Sequence, residues 1–313
     1  MVAVVVTGAA GFIGGAVVRC LREQGRSVVA LDRCPQRSSP GVRPLLADLT
    51  DPHPVIAAAV GRALASAEAV VHLAGCPGVR DRAPEVAARR QRDNVAATER
   101  VLAAVRPGTP VAIATSSAVY GGASGTPSRE DQPLRPRGGY ARSKAAAEEV
   151  CRRWLRRGHP VVVVRPFTVI GEGQRPDMAL HRWVTAALQG RPLPVYGSPA
   201  RSRDFTDVRD VARALVELTD LRVSGPVNVG TGAPHTLGQM LTAVAAVTGT
   251  APQLHLEPAG PEDVPATWAD PTRLERLLGW RPRTDLPDVV ARVAAELRGG
   301  TYASPLPAAG ALR

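Results

Sequence analysis

The chain has 313 residues, of which 44% are hydrophobic and 21% charged, and a formal net charge of +11 at pH 7. This is the balance of a folded globular protein, long enough for one large domain or two closely packed ones, and no apolar run reaches the ~18 residues of a membrane span. The positive charge is spread along the chain and only 4% of residues are aromatic, so neither a basic patch nor a base-stacking platform for nucleic acid is expected.

Val2–Val6 is a continuous β-branched run, the pattern of a strand buried on both faces of a parallel sheet. It has no basic stretch ahead of it and leads straight into a Gly-rich turn, unlike a cleavable leader. A helical pattern follows to about Gly25, then a second strand over Ser27–Asp32 and a third short one before Asp48. Further buried strands are expected at Ala69–Leu73, Val111–Thr115 and Val161–Val164, with helices near 53–65, 84–105 and 140–157 between them. Such alternation means right-handed βαβ units and a doubly wound, Rossmann-type parallel sheet over residues 1–166. Beyond it the pieces shorten: helices near 177–189, 207–219, 236–247, 271–278 and 286–297, and a strand near 194–196. Residues 167–298 therefore read mainly as a smaller α/β lobe at the sheet's carboxyl edge, with segments near 207–232 returning to the first domain. The stretch from Gly299 reads as a flexible tail. Cys20, Cys34, Cys76 and Cys151 show neither CxxC spacing nor nearby histidines, so no metal site and no disulfide framework is expected, and reduced thiols suit a cytoplasmic protein.

Gly8-x-x-Gly11-x-x-Gly14 lies between a predicted strand and a predicted helix, where a tight turn, close backbone approach and free N–H groups suit a dinucleotide pyrophosphate. Asp32 ends the next strand 18 residues after Gly14, in place for the adenosine ribose hydroxyls. A carboxylate there repels a 2′-phosphate, which favours NAD over NADP, although Arg33 follows it. Asp48-Leu49 is placed to meet the adenine, and Leu73-Ala74 to pass beneath the cofactor.

Lysine and arginine total 39, yet Lys144 is the only lysine; the other 38 are arginine. It stands four residues after Tyr140 on a predicted helix, so the two share a face. An ammonium near a phenol lowers the phenol's pKa from ~10 towards a range useful for acid/base work. Thr115-Ser116-Ser117 ends the fifth strand at the same edge, bringing a hydroxyl beside the tyrosine.

The chain here resembles the extended short-chain dehydrogenases, NAD-dependent epimerase/dehydratases that act on nucleotide sugars. The resemblance rests on Thr7–Gly14, His72-Leu73-Ala74, Thr115–Gly121 and Tyr140-Ala141-Arg142-Ser143-Lys144, and continues through Arg165–Gly171, Gln174–Ala179, Arg203–Thr206, Val227–Gly232 and Leu278-Gly279-Trp280. It implies Tyr140 as acid/base, Ser116 as partner of the reacting hydroxyl, and Lys144 on the nicotinamide ribose. It further implies Phe12, Ile13, Asn94 and Phe167 at the cofactor. Arg80, Met178, Val195, Tyr196, Arg203 and Asp263 would meet a UDP-sugar, Arg203 at the diphosphate. The helices near 84–105 and 140–157 would form a four-helix homodimer interface.

Members that dehydrate sugars carry an Asp-Glu pair directly after the catalytic hydroxyl residue, and decarboxylating members a Glu at the second of these positions. Here Ser117 and Ala118 stand there, which leaves oxidation at C4, turnover of the 4-keto sugar and return of the hydride, a 4-epimerisation. Thr168 and the run Gln174–Met178 resemble UDP-glucuronate 4-epimerases, and the hydroxyls of Ser116, Ser117 and Thr168 with Arg175 suit a C6 carboxylate. A neutral UDP-hexose 4-epimerase, a 4-ketoreductase using the same pair, and a non-enzymatic NAD sensor are the alternatives. Ile170, often Tyr in the family, and Glu172, often Pro, depart from its pattern.

Overall fold

The computed structural model describes residues 3–299 except Arg37, Arg82 and Pro252; Val2 and residues 300–313 of the expected tail lie outside the described residues. Through the first half, β1 (Ala3–Thr7), α1 (Phe12–Glu23), β2 (Val28–Asp32), β3 (Val42–Leu46), α2 (Pro54–Ala65) and β4 (Ala67–His72) are followed by α3 (Val86–Arg90), α4 (Ala97–Ala104), β5 (Val111–Ala114), α5 (Gly138–Leu155) and β6 (Val161–Pro166). The second half holds β7 (Thr168–Ile170), α6 (Ala179–Leu188), β8 (Leu193–Tyr196), β9 (Ser202–Arg203), β10 (Phe205–Asp207), α7 (Val208–Asp220) and β11 (Gly225–Val229). Then come β12 (His235–Thr236), α8 (Leu237–Thr248), β13 (Leu254–Glu257), α9 (Thr272–Leu278) and α10 (Leu286–Arg298).

The main sheet has seven parallel strands in the order β11-β6-β5-β4-β1-β2-β3. The apolar runs of β1, β2, β5 and β6 are continuous because successive side chains enter different cores. Val4, Val6, Val28, Ala30, Val162, Val164, Val227 and Val229 pack with α1 and α7. Val5, Val29, Leu31, Val161 and Val163 face the layer containing α2, α4 and α5. Each fully buried valine contributes ~1.5–3 kcal/mol, which makes the alternation, rather than strand propensity, the main source of stability here.

β11 was not among the expected strands. Gly225-Pro226-Val227-Asn228-Val229 has two valines between a proline and an asparagine, too short a signal for periodicity, and it becomes a strand by pairing along β6. The expected continuous helix over 84–105 is instead α3, a π-helical turn over Gln91–Ala96, and α4. The wider turn brings the side chains of Asp93 and Asn94 inward, where both are buried.

α6, α8 and α10 form the smaller lobe around Leu180, Trp183, Leu193, Met240, Val289 and Val290. Three two-stranded sheets, β10-β7, β12-β9 and β13-β8, complete this half of the chain. Pairs of two to four residues in this region leave little alternation to read in a sequence.

Candidate active site

The strand order reverses between β1 and β4, and the carboxyl ends of these strands with β5 and β6 border one crevice, where ligands of open α/β sheets bind. Gly8 turns the chain out of β1 at φ +68°, and a Cβ there would stand 2.6 Å from the Ala74 nitrogen. A Cβ on Gly14 would stand 2.0 Å from the Gly8 carbonyl oxygen. Turn and helix can approach this closely only because both residues are glycine. Gly11 caps α1 with no side chain over the first N–H groups, which leaves them for an anion. Asp32 accepts the Ala10 N–H through Oδ2 at 3.0 Å and the Cys34 N–H through Oδ1 at 2.9 Å, so both oxygens are aimed and each keeps a lone pair. These features fit the pyrophosphate and ribose of a dinucleotide.

The other residues expected at the cofactor divide between lining and scaffolding. Phe12 lies 3.9 Å from where a Cβ on Gly173 would be, and it packs with Ile13 and Leu73 against the core under α1. Arg33 reaches Asp93 at 3.3 Å. Asp48 takes the N–H and hydroxyl of Thr50 at 2.7 Å each; burial raises its pKa, but these bonds and the nearby Arg92 and Arg33 hold it below the ordinary carboxylate range. Leu49 and Ala74 belong to the core facing α2 and α4. Asn94 accepts the Cys76 N–H at 2.9 Å and donates to the Cys76 carbonyl at 3.2 Å and to Ser143 Oγ at 2.8 Å, so its amide ties the loop after β4 to α5. Phe167 is buried and stacks on Tyr120 with 6.3 Å between ring centroids.

Tyr140 and Lys144 occupy successive turns of α5. Burial pushes the Tyr140 phenol above its ordinary pKa, against the Ser116 hydrogen bond and the charges of Arg175 and Arg90; Cys76 adds to the rise. The expected depression is thus outweighed by desolvation. Burial also lowers Lys144 to about 8, although Cys76, Cys151 and Glu148 oppose it, and its Nζ donates to the Ala114 carbonyl at 3.1 Å. Ser116 closes β5's edge in extended backbone and accepts the Ala118 N–H at 3.1 Å, opening the short 3₁₀ turn Ser117–Tyr120, in which Ser117 is buried.

Beneath this edge lies His72, whose sequence neighbours signalled only a buried strand end. Thr7 Oγ1 accepts the N–H groups of Leu73 and Ala74 at 3.2 Å each, so its own hydrogen points to His72 Nδ1 at 2.7 Å. His72 Nε2 then donates to Thr98 Oγ1 at 3.1 Å, whose hydrogen goes to the Asn94 carbonyl at 2.8 Å. This assigns one neutral tautomer, and burial together with the Lys144 charge takes the histidine down to about 3.

Across the crevice a cationic cluster surrounds Tyr196. The Arg80 guanidinium stacks 4.0 Å above its ring, Arg182 lies 5.5 Å from it, and Arg182 Nη1 donates to the phenol oxygen at 3.2 Å. Arg80 also forks onto Asp263, with Nη2 to Oδ1 at 2.7 Å, and Arg201 donates to the Asp263 carbonyl at 2.9 Å. Arg203 donates to the carbonyls of Ser202 and Pro265 at 2.7 and 3.4 Å; burial and the neighbouring Arg201 and Arg80, opposed by Asp263, bring it to about 10. A buried guanidinium lowered by like charges is stabilised by an incoming anion. Val195 turns into the lobe's core, so of that pair Tyr196 faces the cluster. Thr168 opens β7, Met178 precedes α6, and Arg175 between them forks onto Asp177 at 2.9 Å through both nitrogens. Arg90, Arg182 and Arg201 had no signal in the sequence beyond being three arginines among many.

A sequence model described as the NAD dependent epimerase/dehydratase family matches residues 4–230. The chain belongs to this family of NAD-dependent enzymes. Among curated proteins it is 31% identical to a probable UDP-glucuronate 4-epimerase of Rhizobium meliloti (strain 1021), across 92% of this chain and 94% of that one. Among solved structures it superposes on MoeE5 with a TM-score of 0.86 at 38% identity, covering 95% of this chain and 99% of the other; that protein is described in complex with UDP-glucuronic acid and NAD, and separately with UDP-glucose and NAD. The UDP-glucose 4-epimerase of Thermus thermophilus, in complex with NAD, superposes with a TM-score of 0.84 at 29% identity, covering 95% of this chain and 99% of that one.

Proposed function

We propose that the chain is an NAD-dependent UDP-sugar 4-epimerase and that UDP-glucuronate is its substrate. The observation that carries this reading is the make-up of the surroundings of Tyr140. Ser116 is its hydrogen-bonding neighbour, and the charges nearest in effect are the cations Arg175 and Arg90. With Ser117 and Ala118 after Ser116, the site among the described residues offers acid/base chemistry through one phenol, without the carboxyl pair that elimination requires.

In this reading Gly8, Gly11 and α1's first turn hold the pyrophosphate, Asp32 the adenosine ribose, and Lys144 the nicotinamide ribose. Bound NAD would supply reversible hydride acceptance at C4. Ser116 orients the C4 hydroxyl, and Tyr140 removes its proton as the carbonyl forms and restores it as the carbonyl is reduced. Arg203, Arg80 and Tyr196 hold the UDP half while the sugar turns over within the crevice. Around Tyr140 the two guanidiniums favour an anionic sugar, and the hydroxyls of Ser117 and Thr168 suit a carboxylate at C6. Holding that carboxylate matters, because a 4-keto uronate is a β-keto acid that loses CO₂ when its carboxylate can align with the carbonyl.

A neutral UDP-hexose is the second reading, favoured by the Arg175–Asp177 fork, which neutralises one of the cations. Incubation with UDP-glucuronate and UDP-glucose separately, followed by NMR, separates the two. UDP-galacturonate from the first supports the proposal; conversion of UDP-glucose alone overturns the uronate assignment.

The same proposal makes the enzyme a cytoplasmic homodimer joined through α4 and α5, whose outward residues include Glu99, Arg100, Arg142, Glu149 and Arg153. Sedimentation velocity tests the dimer directly. No helix among the described residues is long and apolar enough to cross a membrane.

A further inference from the structure

Three consecutive residues at the end of β5 each face one residue of α5, two of them through hydrogen bonds. The Ala114 carbonyl takes the Lys144 ammonium at 3.1 Å and Thr115 Oγ1 donates to Glu148 Oε1 at 2.8 Å, while Ser116, whose hydroxyl accepts the Ala118 N–H at 3.1 Å, bears on the Tyr140 phenol. Tyr140, Lys144 and Glu148 are spaced four apart and so lie along one face of the helix. Two of these contacts involve groups with chemistry to perform. The third does not, and it is the one fastened from behind.

Glu148 Oε1 also accepts from Arg165 Nε at 2.9 Å, and Oε2 from Arg165 Nη2 at 2.6 Å, both side chains being 5% exposed. Arg165 Nη1 reaches Tyr120 OH at 2.8 Å and the Glu130 carbonyl at 3.2 Å. The Tyr120 hydroxyl donates to Asn228 Oδ1 at 2.6 Å, Asn228 Nδ2 donates to the Ser128 carbonyl at 2.8 Å, and the Asn228 N–H donates to Glu130 Oε1 at 2.9 Å. The chain of bonds runs from α5 through β6 to β11. Replacing such a buried ion pair by well-packed apolar residues is often neutral for stability, whereas removing one partner leaves a buried charge unpaired.

We propose that Glu148, anchored by Arg165, is the positioning residue that sets α5 against the end of β5, and that through Thr115 it keeps the Ser116 hydroxyl on the Tyr140 phenol. The proposal rests on the epimerase reading for its effect on turnover, but its effect on Tyr140 is independent of any substrate. Ser116 opposes the burial that raises the phenol, so loosening Thr115 raises the titration of Tyr140 further. The other groups bearing on the phenol are Arg175 from the loop before α6, Cys76 from the loop after β4 and Arg90 from α3, and none is altered by substitution at Thr115.

The test compares Thr115→Val, Thr115→Ser and Glu148→Gln in the full chain with UDP-glucuronate and UDP-glucose. It measures kcat, KM, bound NAD and the ultraviolet phenolate titration of Tyr140, the last against Tyr140→Phe in each background. Thr115→Val and Glu148→Gln are expected to lower kcat by about 10- to 100-fold with KM and NAD content close to wild type, as a small misplacement of reacting groups does. Tyr140 should titrate higher in both, and Thr115→Ser should restore every value. Thr115→Val that is folded, unchanged in kcat and unchanged in Tyr140 titration overturns the proposal, and it decides alone where Glu148→Gln does not fold. If the wild-type enzyme turns over neither sugar, the epimerase reading fails, and the Tyr140 titration still decides the positioning.

Discussion

Lys144 Nζ donates to the Ala114 carbonyl at 3.1 Å, which binds the chain's single lysine to the end of β5 two residues before Ser116. The contact uses one of three ammonium hydrogens and leaves two for a ligand at the crevice. It also makes the ammonium observable, because a protein with one lysine gives one lysine side-chain NMR signal.

That signal should titrate near 8, where burial places Lys144, rather than near the 10.5 of a free lysine. The folded state then binds fewer protons than the unfolded state between pH 8 and 10.5, so this group alone makes folding more favourable as pH rises through that window. A midpoint above 10 would show the amine to be solvated and would remove it from the crevice.

Lys144→Arg should retain charge but fail in function. A planar guanidinium needs more room than the space shared by Ala114, Gly75 and Asn94, and it cannot act as a compact point charge. The expected result is a loss of kcat of about 100-fold or more with the fold intact by circular dichroism. Near-wild-type turnover would show that any cation suffices at this position.

Gly8→Ala tests the cofactor crease. The residue sits at φ +68° with the Ala74 nitrogen 2.6 Å from its missing Cβ. The left-handed backbone alone costs about 1–2 kcal/mol in a residue with a Cβ, and the contact forces the turn away from Leu73-Ala74. NAD measured after purification should fall well below one per chain, while wild-type occupancy in the variant would place the cofactor elsewhere.

His72 predicts acid sensitivity. It is neutral in the fold down to about 3, whereas the unfolded chain takes up its proton near 6.5. Its contribution is complete above pH 6.5 and is lost as pH falls through that window, by about 2 kcal/mol between pH 6.5 and 4.5. Thermal melts should show a smaller drop in Tm over this interval for His72→Gln than for wild type; equal drops would mean that the histidine protonates freely.

β1, β2, β5 and β6 were readable because each places an apolar run between two cores, β4 through Ala69-Val70-Val71 and β3 only as a short strand before Asp48, and so was the Tyr140–Lys144 face of α5. β11 was not, because Val227 and Val229 are strand residues only by pairing with β6. The π-helical turn at Gln91–Ala96 escaped for a similar reason: it follows from Asn94 reaching Cys76 and Ser143, a long-range demand. Periodicity also could not show that burial outweighs neighbouring charge at Tyr140. The role of Glu148 depends on Arg165 and Thr115, neither adjacent to it in sequence.

The central claim is that a hydride leaves C4 and returns to the same carbon. UDP-glucuronate carrying deuterium at C4, incubated with the enzyme in ordinary water and followed by NMR, tests it most directly. The account predicts UDP-galacturonate with the deuterium retained at C4, no net reduction of NAD, and no conversion by Tyr140→Phe. Product carrying hydrogen at C4, or product formed by Tyr140→Phe at the wild-type rate, would contradict it.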